Sequence, residues 1–242
     1  MPTASFRFAY PQSTRRIDIR DLAINDAATV VLGVNGAGKT TMLRCLAGQF
    51  KLQRGKLPSA DGTVYVPQKF MPISGFNVAD YISYVGWLQG APLRQAQKDA
   101  LTWAEFVGLQ GDVTRQECRQ LSGGQQAKLQ LAAALNSQAR WLLLDEPSAT
   151  LDPIAKQELR QLYRDVINRG IRLWVSSHQP LEVGEPFEQV IVLDHGCLAF
   201  QGRIDDFIGF SDDRTDASDT TWRGEPISPT VLQLSAVHRS EA

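Results

Sequence analysis

Hydrophobic positions recur along this chain with two different spacings. Some runs of β-branched and aromatic residues alternate or stay continuously apolar, as strands do, whereas other segments repeat an apolar residue every three or four positions, as helices do. In chain order these patterns predict strands at 6–10, 17–24 and 29–33, helices at 39–47 and 123–136, a strand at 141–145, a helix at 153–169, and strands at 173–176 and 190–193. Strands that alternate with helices indicate an α/β fold with a mainly parallel central sheet, which an N-terminal antiparallel β region precedes.

The middle of the chain has a longer helical pattern. From Asn77 to Leu121 one apolar stripe is formed by Val78, Tyr81, Ile82, Val85 and Leu88. We predict a helical subdomain at about 70–122, inserted into an α/β domain of residues 1–210. Residues 211–242 are predicted to be a C-terminal linker and short tail, because 211–221 is polar and rich in Asp and only 231–237 is apolar.

Composition and charge limit the partners that we expect. A hydrophobic content of 43% over 242 residues is ordinary for a globular protein with a sizeable core. The 25 basic residues nearly balance the 26 acidic ones and leave a net charge of -1. No overall field therefore attracts the chain to nucleic acid or anionic lipid, and no nucleic-acid partner is expected.

Two further patterns concern location and cysteine chemistry. Residues 1–16 lack the continuous apolar core of a secretory signal, and no window approaches the roughly eighteen apolar residues that span a bilayer. A cytoplasmic location is expected. Cys45, Cys118 and Cys197 are odd in number and have no CxxC spacing, which argues against a disulfide framework and a zinc site. We interpret them as buried or incidental thiols.

A glycine-rich motif connects the strand predicted at 29–33 to the helix predicted at 39–47. Residues Gly33 to Thr40 fit the pattern G-x-x-x-x-G-K-[ST] of a phosphate-binding loop, the P-loop of NTPases. Its glycines let backbone N–H groups close around phosphate oxygens. Lys39 neutralises phosphate charge, and Thr40 offers a hydroxyl to Mg²⁺. The motif predicts a P-loop NTPase core that binds ATP, with a glycine turn without a ligand as the alternative.

Two adjacent acids end the apolar strand predicted at 141–145. Ligands bind at the carboxyl ends of strands in such sheets, where Asp145 and Glu146 lie. Side chains alternate along an extended chain, so one acid can serve Mg²⁺ while the other polarises water. Alone, an acidic pair of this kind is usually a strand end at the surface. Together with the phosphate-binding loop it predicts hydrolysis.

A third motif precedes the acidic pair by roughly two dozen residues. Leu121-Ser122-Gly123-Gly124-Gln125 places a capping serine before two glycines that expose helix N-terminal amides, which makes a second anion site. The pentapeptide resembles the signature of ABC ATPases, the ATP-binding subunits of ABC transporters, and few other P-loop enzymes have it. The resemblance covers about 6–201 and implies that family's fold and activity.

The resemblance assigns roles to further residues. Gln68 is similar to the Q-loop glutamine, Asp152 to the aspartate of the D-loop, and His178 to the switch histidine that senses the γ-phosphate. Tyr10 is similar to the aromatic residue that stacks on adenine, although an ordinary edge-strand aromatic is an equal interpretation. The implied catalytic residues are Glu146, His178 and Gln68, the implied metal ligands are Thr40, Gln68 and Asp145, and the implied nucleotide-binding residues are Tyr10, Asn35, Gly36, Ala37, Gly38, Lys39, Thr40, Thr41, Ser122, Gly123, Gly124, Gln125 and Asp152.

The resemblance also implies an assembly. In this family the phosphate-binding loop of one chain works against the signature of another, so we expect a homodimer, or a pair with a related ABC subunit, around two ATP molecules. Transport would need a separate transmembrane permease subunit, which would hold the chain at the inner face of the cell membrane. The side chains expected to contact that subunit are Phe70, Met71, Phe76 and Trp87.

Several alternatives remain at this stage. The run 76–81 followed by 88–90 resembles exporters that handle drugs, lipids or polysaccharides. A soluble ABC ATPase without a pore, for example one in iron-sulfur cluster assembly, would share every catalytic motif. A binding module that no longer hydrolyses ATP is disfavoured because Lys39, Asp145, Glu146 and His178 are all present. A DNA-repair ABC ATPase would need a longer insertion before the signature.

Overall fold

The strands of the protein lie at both ends and in the middle of the chain. The structure is a computed structural model that describes residues 3–209, 221–222, 225–226 and 229–241. The strands are β1 (Thr3–Ala9), β2 (Arg16–Ala23), β3 (Thr29–Leu32), β4 (Arg54–Gly55), β5 (Thr63–Val66), β6 (Trp141–Asp145), β7 (Arg172–Ser177), β8 (Gln189–Asp194), β9 (Cys197–Arg203), β10 (Thr221–Trp222) and β11 (Glu225–Pro226).

Helices lie between some of these strands and after the last of them. They are α1 (Lys39–Leu46), α2 (Val78–Leu88), α3 (Leu93–Phe106), α4 (Gly123–Leu135), α5 (Pro153–Asn168), α6 (Ile204–Gly209) and α7 (Pro229–Glu241). Short 3-10 turns occur at Gly111–Arg115, Cys118–Gln120 and Pro180–Glu182. The strands and helices predicted for the core are present, with ends that differ by a few residues. The hydrophobic pattern did not predict β5 or β9.

Contacts divide the chain into two compact units. The first comprises Met1–Ala60 and Trp174–Ala242, and the second comprises Asp61–Leu173. The boundaries of the helical subdomain, at about 70–122, and of the C-terminal tail, after residue 210, were derived from sequence patterns. The two units are defined by contacts instead, so these boundaries stay a prediction. The predicted linker lies outside the described residues at 211–220, whereas Thr221 begins β10.

In the first unit the strand order is β4-β1-β2-β9-β8-β3-β7. β3 pairs in parallel with β7 and β8, while β1 pairs antiparallel with β2 and β4, and β8 antiparallel with β9. All four residues of β3 are buried, which explains the continuous apolar run from Val30 to Leu32. The predicted α/β class with a mostly parallel, mixed sheet and an antiparallel N-terminal region is confirmed.

The C-terminal helix α7 belongs to the first unit. Its residue Val231 is fully buried, and the helix contacts the turn at Pro180–Glu182. Thr230 Oγ1 donates a hydrogen bond to Asp194 Oδ2 over 3.0 Å. The apolar segment predicted at 231–237 therefore lies in a helix that packs against the unit.

In the second unit β5 and β6 pair in parallel, with Val66 opposite Leu144. The two strands consequently end at the same edge. Helices α2, α3 and α4 pack together beside them, and the buried Asn136 amide donates hydrogen bonds to the carbonyl oxygens of Ile82, over 3.0 Å, and Ala96, over 2.9 Å. A polar side chain thus ties the end of α4 to both neighbouring helices.

The structure tests two expectations from the sequence, one about the state of the cysteines and one about membrane-spanning helices. Burial raises the pKa of Cys45 to about 12, and that of Cys118 to about 11. Both side chains therefore remain neutral thiols near pH 7, as the interpretation of buried thiols requires, whereas Cys197 is exposed. Within the described part of the chain, no helix has the length and apolar character that crossing a bilayer requires.

Candidate functional site

In the first unit, the loop between β3 and α1 is packed tightly against its neighbours. A Cβ atom built at Gly33 would lie 2.7 Å from the carbonyl oxygen of Leu193, and one at Gly38 would lie 2.8 Å from Ile17 Cγ2. Gly38 also has a φ of 106° directly before the helix, which side-chain-bearing residues rarely adopt. Two glycines of the predicted pattern are therefore required by the shape of the loop itself.

Lys39 is the first residue of α1 and is only 4% exposed. Its Nζ donates hydrogen bonds to the carbonyl oxygens of Gly33, over 2.6 Å, and Val34, over 3.3 Å. The ammonium group is thus held inside the loop that begins with these carbonyls. A buried cation at a helix N-terminus is suited to an anion bound by the same loop.

The other predicted residues of the loop differ in exposure. Asn35 and Gly36 are exposed, Ala37 is buried, and Thr40 and Thr41 are half-buried at the start of α1. The Ala37 N–H donates to the carbonyl oxygen of Val34 over 3.1 Å and closes the turn. The structure therefore gathers all of the predicted loop residues around one helix N-terminus.

Tyr10 lies beside the phosphate-binding loop, although the two are well separated in the sequence. Its Oη is 3.2 Å from Thr41 Oγ1, and either hydroxyl can donate the hydrogen bond. The Tyr10 side chain is half-buried and follows the end of β1. The structure thus brings the predicted adenine-stacking residue and a predicted phosphate-loop residue together.

In the second unit, the two acids lie where β6 ends. Asp145 is 2% exposed, and its Oδ2 accepts a hydrogen bond from the Tyr65 hydroxyl over 2.8 Å. Glu146 follows with a φ of 46°, a left-handed conformation that is uncommon outside glycine. Strained residues of this kind cluster at functional sites, where the surrounding structure holds them.

Gln68 contacts the second of these acids. Its Nε2 donates to Glu146 Oε2 over 3.2 Å. This contact depends on the parallel register of β5 and β6, which places residues just beyond both strands at one edge. The structure therefore brings together Gln68, Asp145 and Glu146, which span about eighty positions of sequence.

Tyr65 is a residue that the sequence analysis missed. The signal was present in the run Thr63-Val64-Tyr65-Val66, which is a short strand pattern ending at a proline. Only the pairing of β5 with β6 shows that the Tyr65 hydroxyl donates to Asp145. That bond fixes the orientation of a carboxylate that would otherwise be buried with fewer partners.

The glycine-rich pentapeptide also lies in the second unit, at the start of α4. Ser122 Oγ accepts from the Gln125 N–H over 3.3 Å, while Gln125 Oε1 accepts from the Ser122 N–H over 2.9 Å. This reciprocal arrangement is a capping box, and the predicted capping role of Ser122 is confirmed. Ser122 and Gly123 are exposed at this end of the helix.

The start of α4 packs against the start of α5. A Cβ atom built at Gly124 would lie 3.2 Å from the Ala155 Cβ, and one at Gly123 would lie 3.6 Å from Leu151 Cδ2. Asp152 caps α5 by accepting from the Ala155 N–H over 2.9 Å. Capping gives Asp152 a structural task in its own chain, and its predicted role toward a second chain stays a prediction.

His178 follows β7 in the first unit and is half-buried. The next turn is stabilised by the Gln179 N–H, which donates to Ser177 Oγ over 2.9 Å. The first unit thus holds Tyr10, the phosphate-binding loop and His178. The second holds Gln68, the acidic pair, the glycine-rich helix start and Asp152. Among the described residues, no three His, Cys, Asp or Glu side chains form a group that could hold a metal by themselves.

Comparison with known proteins identifies one protein family for this chain. A family profile described as ABC transporter matches residues 21–149, which is more than half of the chain. This span includes the phosphate-binding loop, Gln68, the glycine-rich pentapeptide and both acids.

Curated relatives carry ABC transporter names. YhaQ of Bacillus subtilis, an ABC transporter ATP-binding protein, is 30% identical over 72% of this chain and 61% of its own length. YbhF of Escherichia coli, named as a multidrug ABC transporter ATP-binding protein, is 32% identical over 72% of this chain and 32% of its own length. The methionine import ATP-binding protein MetN of Corynebacterium jeikeium is 34% identical, again over 72% of this chain and over 52% of that protein. The chain thus spans about a third to three fifths of these relatives.

Solved structures share the fold. A chain from an inward-facing structure, described as a metal-chelate type ABC transporter, aligns over 85% of this chain and 84% of its own, with a TM-score of 0.74 and 23% identity. The dimeric bacterial ABC transporter cassette MJ0796 aligns over 84% of this chain and 97% of its own, with a TM-score of 0.68 and 20% identity. At these identities the likeness concerns the fold alone.

Proposed function

The chain belongs to the ABC transporter family, and from this premise we propose that it binds and hydrolyses ATP as the motor subunit of a transport system. The observation that carries hydrolysis, rather than binding alone, is the contact of Gln68 with Glu146 beside the buried Asp145. A hydrolytic site needs a carboxylate that can accept a proton from water, and here one is held in a strained backbone position by its surroundings. A module that only binds ATP would not need this arrangement.

The residues of the phosphate-binding loop bind the nucleotide. Backbone N–H groups of Gly36 to Thr41 hold the phosphate oxygens, because the loop and the helix N-terminus present donors to an anion. Lys39, buried in the same loop, neutralises charge on the transferred phosphate. Asn35, Ala37 and Gly38 shape the loop, and Tyr10 offers its ring to the adenine.

Magnesium fits the chemistry of the residues that the family pattern assigns to it. Thr40, Gln68 and Asp145 present hydroxyl, amide and carboxylate oxygens, which are the donors that this hard cation prefers. When bound, Mg²⁺ neutralises charge on the phosphate oxygens. The hydrogen bond from Tyr65 keeps the Asp145 carboxylate in one orientation for this task.

Glu146 accepts a proton from the attacking water as general base. Gln68 orients the Glu146 carboxylate through the hydrogen bond between Nε2 and Oε2. His178 contacts the γ-phosphate and reports whether it is present. The roles of Glu146 and His178 follow the family resemblance, whereas the orienting role of Gln68 rests on this hydrogen bond.

A dimer completes the proposal. Ser122, Gly123, Gly124 and Gln125 of one chain bind the nucleotide held by the phosphate-binding loop of the other, and Asp152 reaches toward the opposite site. A twofold homodimer satisfies both sites with one sequence, although a related ABC subunit can take the second place. ATP then favours the closed dimer because it contacts both chains.

Complementation of two defective variants tests both the ATPase function and the shared site. Lys39→Ala spoils the phosphate-binding loop, and Ser122→Arg blocks the glycine-rich helix start, so each homodimer should be inactive. A mixed dimer has one site with both lesions and one with neither. We expect ATP-dependent heterodimers of differently tagged variants, together with recovered ATP turnover in the presence of Mg²⁺.

Two controls keep this result interpretable. Ser122→Thr retains the capping hydroxyl of α4 and should behave like wild type. Ser122→Arg should unfold at a temperature close to that of wild type and of Ser122→Thr if it acts by blocking the site rather than by unfolding the helix. Each variant should also dimerise with wild type. If both do so while the mixture gives neither heterodimers nor turnover, the proposed shared site is wrong.

The membrane partner docks on the second unit. The groove there has a volume of about 80 Å³ and is lined by residues of β5, α2 and α4 and by Met71, which is 66% exposed. Trp87 on α2 is 46% exposed, whereas Phe70 and Phe76 are half-buried against Tyr81 and Tyr84. Of the four predicted contact residues, Met71 and Trp87 are therefore the ones available to a partner.

Polar substitution at these two positions is expected to uncouple the motor from its partner. Met71→Ser with Trp87→Ser should leave the ATP turnover of the isolated chain within about twofold of wild type, because both side chains are largely exposed and the ring contact that is lost, between Trp87 and Tyr84 with centroids 6.0 Å apart, lies on the surface of α2. The stimulation of turnover by the copurified membrane partner should be lost. Turnover with and without partner-containing vesicles measures both quantities.

Leu101 supplies the matched control, because it is 57% exposed on α3 and belongs neither to the groove, which Met71 lines, nor to α2, which carries Trp87. Leu101→Ser should retain stimulation. An equal loss of basal and stimulated turnover in the Met71 and Trp87 variant would instead show that these side chains stabilise the unit.

The cellular setting follows from the family. We propose that the chain is cytoplasmic and is held at the inner face of the cell membrane by a separate permease subunit. The named relatives serve transporters, which does not favour a soluble ATPase without a pore. Their names include both multidrug and import proteins, so the exporter type that handles drugs, lipids or polysaccharides stays a prediction.

A further inference from the structure

Three aromatic rings form a cluster at the end of β1 in the first unit. Phe8 and Phe50 are stacked, with ring centroids 4.6 Å apart and planes 6° from parallel. Tyr10 meets Phe50 edge to face, with centroids 5.6 Å apart and an interplanar angle of 77°. Phe8 is buried, whereas Phe50 and Tyr10 are half-buried. Tyr10 also meets Phe8 edge to face, with centroids 4.9 Å apart and an interplanar angle of 83°. Its ring therefore packs against both members of the stacked pair.

The backbone explains why Phe50 reaches this position. At the end of α1 the N–H groups of Gly48 and Gln49 donate to the carbonyl oxygens of Cys45 and Arg44, both over 3.0 Å, and these bonds close a turn. The chain then runs back along β1, where the Gln53 N–H donates to the Arg7 carbonyl oxygen over 2.9 Å. The helix that begins in the phosphate-binding loop thus ends by delivering Phe50 to the Tyr10 ring.

The Tyr10 side chain is constrained at three points. Its hydroxyl is bonded to Thr41 near the start of α1, and its ring packs edge to face on both Phe8 and Phe50. A tyrosine has two side-chain torsions, and contacts in different directions fix both of them. The ring therefore keeps one orientation relative to α1 and the phosphate-binding loop.

We propose that Phe50 and Thr41 are positioning residues that hold the Tyr10 ring ready to stack on the base of the bound nucleotide. This inference rests on the proposed function, since it assumes that the phosphates of a nucleotide bind in the loop beside Thr41. A ring fixed in advance loses little conformational freedom when the base stacks on it, so the contact contributes more to affinity. Phe50 itself touches no part of the nucleotide.

If Phe50 positions the Tyr10 ring, its substitution should weaken the binding of the base but not the binding of the phosphates. Phe50→Leu keeps an apolar side chain but removes the stack on Phe8 and one of the two edge-to-face contacts of the Tyr10 ring, leaving the contact with Phe8. The dissociation constant of the full chain for Mg·ATP should rise about three- to tenfold, as expected for the loss of one aromatic pair. The dissociation constant for Mg·tripolyphosphate, which has no base, should stay within a factor of about two. Isothermal titration calorimetry with both ligands gives the two constants.

A purely structural role for Phe50 predicts a different outcome. If Phe50 only stabilised the end of α1 and the loop, both ligands would weaken together, and that result would overturn the proposal. Unchanged affinity for both ligands would overturn it as well. Lys51→Ala, at the exposed neighbouring position, is the matched control and should bind both ligands like wild type. A wild-type chain that binds neither ligand would reject the proposed function, whereas a failure confined to Phe50 rejects the positioning role alone.

A double-mutant cycle tests the Thr41 contact independently. Tyr10→Phe and Thr41→Val each remove one hydroxyl, and each should weaken Mg·ATP by about two- to tenfold. Because both remove the same hydrogen bond, the double variant should bind no more weakly than the weaker single variant. Thr41→Ser, which restores the hydroxyl, should recover wild-type affinity. Fully additive losses would show that Thr41 acts on the nucleotide without Tyr10.

Discussion

Replacing Glu146 with glutamine should lower ATP turnover by roughly a hundredfold or more, because the loss of a general base has that effect. The side chain keeps its length, so the backbone at φ 46° and the contact with Gln68 are disturbed as little as possible. ATP binding should persist, and the variant should accumulate as an ATP-bound dimer. Turnover by phosphate release and dimer formation by size-exclusion chromatography measure the two effects.

Glu105→Gln is the matched control for this experiment. Glu105 is an exposed carboxylate on α3 of the same unit, so its neutralisation should leave turnover unchanged. If Glu146→Gln turned over ATP like wild type, Glu146 would not be the base. The strained backbone would then need another explanation.

Lys39→Ala should raise the dissociation constant for ATP by about ten- to a hundredfold, which is typical of a lost charge-assisted hydrogen bond. The lysine neutralises phosphate charge in the bound state, so the loss appears in binding before any chemistry. The ammonium is almost fully buried and bonded to two loop carbonyls. Equilibrium titration with a fluorescent ATP analogue measures the effect.

The variant also removes two hydrogen bonds within the loop, so its fold needs an independent check. Lys39→Met keeps most of the aliphatic stem, and it should lose ATP affinity as Lys39→Ala does while unfolding at a temperature close to that of wild type. Lys51→Ala removes an exposed lysine of the same unit and should bind ATP normally. Unchanged ATP affinity in both Lys39 variants would mean that the backbone N–H groups suffice.

Contacts between neighbouring residues can be predicted from the sequence, whereas contacts between distant residues cannot. Ser122 was predicted to cap a helix because the residues that make a capping box lie within one turn, and the structure has that box. Asp152 was assigned a role across a dimer by resemblance, yet the structure gives it a cap on α5. Both observations concern short-range contacts, which the sequence around the residue largely specifies.

The sequence did not predict the contacts between residues that are far apart along the chain. The hydrogen bond of Gln68 to Glu146 and that of Tyr65 to Asp145 both depend on the pairing of β5 with β6. β5 is only four residues long, and its pattern is too short to distinguish from other buried segments. Likewise, the sequence did not show that Met71 and Trp87 are exposed while Phe70 packs on Tyr81.

The sequence by itself determined the α/β class, the positions of most core strands and helices, and the family, because periodicity and contiguous motifs are properties of neighbouring residues. Only the tertiary structure decided which distant side chains meet. The parallel register of β5 and β6 brings Tyr65 and Gln68 to the acids, and the return of the chain after α1 sets Phe50 against Tyr10. The physical reason is that strand register and loop paths are selected by burial and hydrogen bonding over the whole sheet, and no local pattern contains that information.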